Sequence, residues 1–105
     1  VRVAIPIEED RGLESPVCEH FGRAPYFAVV DLNGKEFSVE VRKNPLVEHT
    51  EGALPELLKN WGVDRIVASR MGRKAQQFFS QFGVEVVLGA SGTVRDVLKA
   101  LGVEV

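Results

Sequence analysis

One cysteine in 105 residues excludes an internal disulfide and suits a reducing compartment. No apolar run approaches the roughly 20 residues a spanning helix needs, so no membrane partner is expected. No charged-then-apolar leader opens the sequence, and a cytoplasmic location is expected. An excess of either charge is also missing: 13 basic against 15 acidic side chains give a formal charge of −2. That balance, with no dense run of Lys or Arg, argues against a nucleic-acid partner. What is present is an ordinary globular composition, 45% apolar and 27% charged, long enough for one core without staples. Residues 1–105 are therefore read as a single domain.

Val1 to Ile7 is β-branched and loosely alternating, which predicts a central strand buried on both faces. Glu8 to Ala24 reads as one long loop, and a connection of that length in a small domain is often functional. Pro25 introduces a second strand, Tyr26 to Leu32; Asn33-Gly34 is a hairpin signal, and Glu36 to Val41 is the returning strand. Val39 and Val41 alternate there with Ser38, Glu40 and Arg42, the pattern of an edge strand, which leaves the protein a monomer or a weak homodimer. Lys43 to Gly52 is a second polar loop.

A pattern then repeats three times. Leu54, Leu57, Leu58 and Trp61 fall at i, i+3, i+4 and i+7, followed by Gly62. Ala75, Phe78, Phe79 and Phe82 precede Gly83 in the same way, and Val94, Val97, Leu98 and Leu101 precede Gly102. Each set predicts a helix with one apolar stripe, stopped by a glycine able to take the left-handed conformation. The runs Val63–Ala68 and Val84–Leu88 predict two more strands; Val103-Glu104-Val105 is either a short strand or a frayed tail. Helix–strand alternation implies parallel strands, and the hairpin implies one antiparallel strand. A three-layer α/β/α sandwich with a mixed five-stranded sheet satisfies both.

Strand direction gathers the chemistry. The loops after the first and third strands and the turns after the fourth and fifth share one edge of such a sheet, where open α/β sheets bind ligands. Cys18, His20, Arg23, His49, Arg70 and Met71 all lie on those connections. Gly89-Ala90-Ser91-Gly92-Thr93 opens the last helix, with Thr93 and Asp96 spaced as a capping box and with backbone N–H groups suited to an anion. Arg73 and Lys74 begin the second helix, where the dipole disfavours cations. Each residue has a plainer reading. Cys18 is either a ligand or a small buried hydrophobe; His20 is either a ligand or bonded within its loop. His49 is a ligand or an exposed loop histidine, and Arg23 either pairs with Glu19 or Glu9 or meets a bound anion. Arg70, Arg73 and Lys74 line the site or form a solvated face. Met71 and the Phe78-Phe79-Phe82 stripe are read as core.

Three segments then carry a resemblance: Val3-Ala4-Ile5-Pro6, Ser15-Pro16-Val17-Cys18-Glu19-His20-Phe21-Gly22-Arg23-Ala24-Pro25-Tyr26-Phe27, and Leu88-Gly89-Ala90-Ser91-Gly92-Thr93-Val94. In this order they resemble the dinitrogenase iron-molybdenum cofactor biosynthesis family over nearly the whole chain, and His20–Phe27 is quite specific. The resemblance implies a ribonuclease-H-like fold with strand order 3-2-1-4-5 and strand two antiparallel. It also implies non-catalytic binding of an iron-sulfur or iron-molybdenum-type cluster or its precursor, passed between donor and acceptor proteins, with His20 touching the cluster.

One Cys and two His fall short of a structural zinc site or a four-cysteine cluster site. An exchangeable seat for a preformed anionic cluster fits better: His20, with Cys18 and His49, for metal, and Arg23, Arg70, Gly89, Ser91, Gly92 and Thr93 for cluster charge. The alternative is a module that binds an anion or a phosphorylated metabolite at Gly89–Thr93. A metal-dependent nuclease ranks lower, because Val3–Ile7 offers no carboxylate for the metal ions such chemistry needs.

Overall fold

Val3, Ala4, Ile5 and Ile7 are fully buried, because the first strand has a helical layer on each of its faces. The computed structural model describes residues 1–46 and 50–105. The strands are β1 (Arg2–Ile7), β2 (Tyr26–Asn33), β3 (Glu36–Lys43), β4 (Arg65–Val67) and β5 (Glu85–Val87). The helices are α1 (Ala53–Asn60), α2 (Arg73–Phe82) and α3 (Val94–Ala100). The sheet order is β3-β2-β1-β4-β5, with β2 antiparallel to both its neighbours and β4 and β5 parallel to β1. The α/β class, the mixed five-stranded order and the antiparallel second strand are those expected.

Side chains alternate across the sheet as the pleat requires. Ala4 faces Leu58 of α1 and Phe79 of α2, whereas Val3, Ile5 and Ile7 face Val94, Val97 and Leu98 of α3. The glycine stops also behave as read: Gly83 caps α2 at φ 73, in the left-handed region. Two details differ. β4 and β5 are three residues each, shorter than the runs 63–68 and 84–88, because Val63 and Val84 bond back to Leu58 and Phe79 of the preceding helices. Residues 103–105 form no strand; the Val103 amide returns to Leu98, and Val103 and Val105 rest on the α3-side core.

The candidate site at the carboxyl edge

The loop from Ser15 to Arg23 runs across the carboxyl ends of the parallel strands and is stitched to each in turn. Ser15 accepts from the Val94 amide and the Val17 amide donates to Gly92, both in the β5–α3 connection, at 3.0 and 2.9 Å. The Cys18 amide donates to Pro6 of β1 at 2.9 Å. Arg70, just past β4, donates its amide to Glu19 and accepts from Phe21, both at 3.1 Å, a parallel bridge centred on His20. A loop with this many partners holds its shape without secondary structure. The ring of Phe21 anchors it from below, 3% exposed and set edge-on to Phe79 with centroids 5.5 Å apart. The imidazole of His20 is exposed, and its carbonyl accepts from the Arg23 amide.

Cys18 lies within this arrangement and faces inward. Its Sγ is buried and donates to the His20 carbonyl at 3.3 Å. Burial, then the neighbouring Glu8 carboxylate, pushes the thiol up to about 11. In this conformation it is a protonated hydrogen-bond donor, and a thiolate ligand would need both that bond broken and a proton removed. His49 lies outside the described residues. Met71 packs against the core, as expected.

The expected anion seat is filled from inside. The Thr93 amide donates to Asp96 Oδ2 at 3.0 Å and the Asp96 amide to Thr93 Oγ1 at 3.3 Å, completing the capping box. The amides of Gly89, Ala90 and Val94 donate to Ser69, Ala68 and Ser15. Of the expected free N–H groups, those of Gly89 and Thr93 are bonded, those of Ser91 and Gly92 have no acceptor among the described residues, and the Asp96 carboxylate lies against Gly92. Those bonds hold the Asp96 carboxyl below its ordinary range. A second anion placed there would meet that charge.

Positive charge collects on the opposite half of the edge. Arg70 meets Glu19 at 3.7 Å with both side chains exposed, a weak pair. Lys74 pairs with Glu51. Neither Arg23 nor Arg73 has an ion-pair partner among the described residues. Beside them lies a cleft of about 270 Å³, walled by Phe21, Gly22, Gly72, Lys74, Ala75 and Phe78 among others. The sequence reading missed this cleft, although two glycines outside any hairpin or helix stop were the available signal. Among the described residues no three His, Cys, Asp or Glu side chains are grouped to hold a bare metal ion.

Comparison with known proteins agrees with the fold. The protein with the crystal structure known as PH0822 shares 41% identity, with 96% of this chain and 89% of that one covered and a TM-score of 0.88. The NMR structure of the NifB-type protein TM1290 from Thermotoga shares 33% identity, covering 96% and 86%, with a TM-score of 0.79. The apo form of the orange protein from Desulfovibrio gigas shares 27% identity, covering 95% and 85%, with a TM-score of 0.82. A family model described as dinitrogenase iron-molybdenum cofactor matches residues 1–103, and the chain belongs to that family.

Proposed function

We propose that this protein is a small non-catalytic carrier for an iron-sulfur or iron-molybdenum-type cluster, or its precursor, held at the carboxyl edge of the sheet. The observation that carries the reading is His20: an exposed imidazole on a loop fixed by backbone bonds to the ends of β1 and β4. A preformed cluster brings its own sulfides, so it asks far less of the protein than a bare ion does. One soft donor with nearby cations suits such cargo, whereas the donor set here does not suit a closed zinc site. Arg23, Arg70 and Arg73 supply charge to offset an anionic cluster. Cys18 contributes by holding the His20 carbonyl in place. An open site with one exposed imidazole among the described residues also favours release, which a carrier working between donor and acceptor proteins in the cytoplasm requires.

The test is anaerobic reconstitution of the full chain with iron and sulfide, followed by visible absorption and iron content. Wild type is expected to take up chromophore and His20→Ala to lose most of it. Uptake that is absent, or equal in the two proteins, would overturn the reading. Binding of a phosphorylated metabolite at residues 89–93 is the weaker reading, since the amides of Gly89, Ala90, Thr93 and Val94 are bonded and the Asp96 carboxylate lies against Gly92, leaving only those of Ser91 and Gly92.

A further inference from the structure

β3 is an edge of the sheet, and the bonds around it sort its backbone groups into inward and outward ones. Leu32 exchanges bonds with Val1, at 2.8 Å through its amide and 3.1 Å through its carbonyl. The even-numbered residues of β2 therefore turn toward β1 and the odd-numbered ones toward β3. Glu36, Ser38, Glu40 and Arg42 all have odd-numbered β2 partners, and Asn44 continues the series by donating to Pro25 at 2.9 Å. The amides and carbonyls of Phe37, Val39 and Val41 thus turn outward, with no bonding partner among the described residues. Their side chains are half buried against the α3-side core. On the other face Arg42 stacks on Trp61, its Cζ 5.1 Å from the ring centroid. It gives Nε and Nη2 to Glu40 at 3.2 Å each, leaving Nη1 without an acceptor among the described residues. Glu36, exposed at the start of the strand, has no ion-pair partner among them either.

We infer that β3 pairs with β3 of a second copy of this chain, antiparallel about a two-fold axis at Val39, so that the two sheets become one. In this register Val39 meets the second copy's Val39, and Phe37 meets its Val41, as bonded pairs that use every outward group of the three residues. A two-fold normal to the sheet keeps each face on its own side, so the stripe of Phe37, Val39 and Val41 is continued by the same stripe of the second copy. On the opposite face Glu36 lies across from the second copy's Arg42, once in each direction, and supplies an acceptor for Nη1. Other registers fail on charge or on length. One step either way sets Glu40 against the second copy's Glu40, or Glu36 against its Glu40. Two steps carry Phe37 opposite Pro45 or Val39 opposite Lys35, both beyond the strand. Charged side chains on an edge commonly guard it against pairing. A guard opposes like charges, whereas this edge opposes unlike ones to itself. It falls short of a standard interface of about 1,200 Å² or more, so the dimer forms only as concentration rises. The paired strands run in opposite directions, which leaves the carboxyl edges of the two copies at opposite ends, and the inference is independent of what those edges carry.

The experiment is sedimentation equilibrium of the full chain up to about 1 mM, with thermal unfolding as the control on folding. It compares wild type, Glu36→Arg, Arg42→Glu, an equimolar mixture of those two variants, and Val39→Pro. Wild type is expected to approach twice the monomer mass as the concentration rises. Each charge variant alone opposes like charges at both Glu–Arg positions and should self-associate about tenfold more weakly. The mixture opposes unlike charges at both positions and should recover the dimer, a result that damage to the fold of either variant does not produce. Arg42→Glu also gives up the contact with Trp61, and recovery in the mixture separates that loss from the pairing. Val39→Pro removes an outward amide that β2 does not use and should abolish association; the charge variants decide the matter even where it fails to fold. Wild type at monomer mass throughout would overturn the inference. Charge variants that associate as wild type does, or a mixture no stronger than its components, would overturn it as well.

Discussion

Two helix starts on the same edge of the sheet are built in opposite ways. Before α3, Thr93 and Asp96 cap each other, Val94 bonds to Ser15, and a carboxylate lies over Gly92. Before α2, Gly72 offers no side-chain cap, no atom of the described residues lies within 4 Å of where its Cβ would be, and Arg73 and Lys74 add positive charge. The first start is complete within the chain; the second leaves its surroundings unfinished. A helix start that supplies its own acceptor has little left for a ligand, however rich in glycine its sequence is. The side that lacks a cap of its own, with Arg73 and Lys74 at its start, is the one left with charge for the cargo of the proposed carrier.

The largest expected effect comes from disturbing the finished start. Gly92 has φ 82, and a Cβ there would strike the Asp96 carboxylate. Gly92→Ala is expected to cost about 2–3 kcal/mol, combining left-handed strain with a displaced cap, read by urea unfolding. Gly72→Ser meets no such obstacle, and equal losses at the two positions would erase the contrast.

A smaller effect is expected from the cap alone. Thr93→Ala should cost about 1 kcal/mol. Asp96 adds a pH signature. Its folded carboxyl titrates below the ordinary range, chiefly because the Thr93 amide bonds to the ionised form. The folded state thus binds that proton less readily than the unfolded chain does, and the stabilisation is complete above the ordinary carboxylate range. It disappears as the pH falls through the depressed folded value. An acid titration of stability should be shallower in Asp96→Asn than in wild type; matching slopes would show that the cap is not formed in solution.

The layers and the sheet order were legible because three helical stripes, three glycine stops and one Asn-Gly hairpin all point the same way. The gathering of His20 and Arg70 on one edge also followed, since strand direction alone fixes which connections meet. Which groups are already satisfied was not legible. Thr93 and Asp96 were readable as a capping box, yet the bonds from Val94 to Ser15 and from Val17 to Gly92 join residues some 75 positions apart, which no local pattern announces. Cys18 illustrates the same limit: its position beside His20 suggests a ligand pair, but whether a thiol points outward or inward depends on the packing of Phe21 and the end of β1.

Cys18 also joins the two halves of the contrast. Its amide is tied to β1, one neighbour leads to the finished start through Val17, and its thiol holds the carbonyl of His20 on the unfinished side. The stability effect expected here is the smallest: Cys18→Ser keeps a donor to His20 and should cost about 0.5 kcal/mol. Reactivity gives the sharper reading. A thiol that is 2% exposed and raised to about 11 should resist iodoacetamide at pH 8 and react only as the protein unfolds. Because the folded state holds this proton more tightly than the unfolded chain, its contribution is full below about 9 and is lost as the pH rises toward about 11. His20→Ala should leave labelling slow, since the bond goes to the backbone and not to the imidazole. Rapid labelling of the native protein would mean that the loop joining the two helix starts opens on its own, and that His20 is held less firmly than its backbone bonds imply.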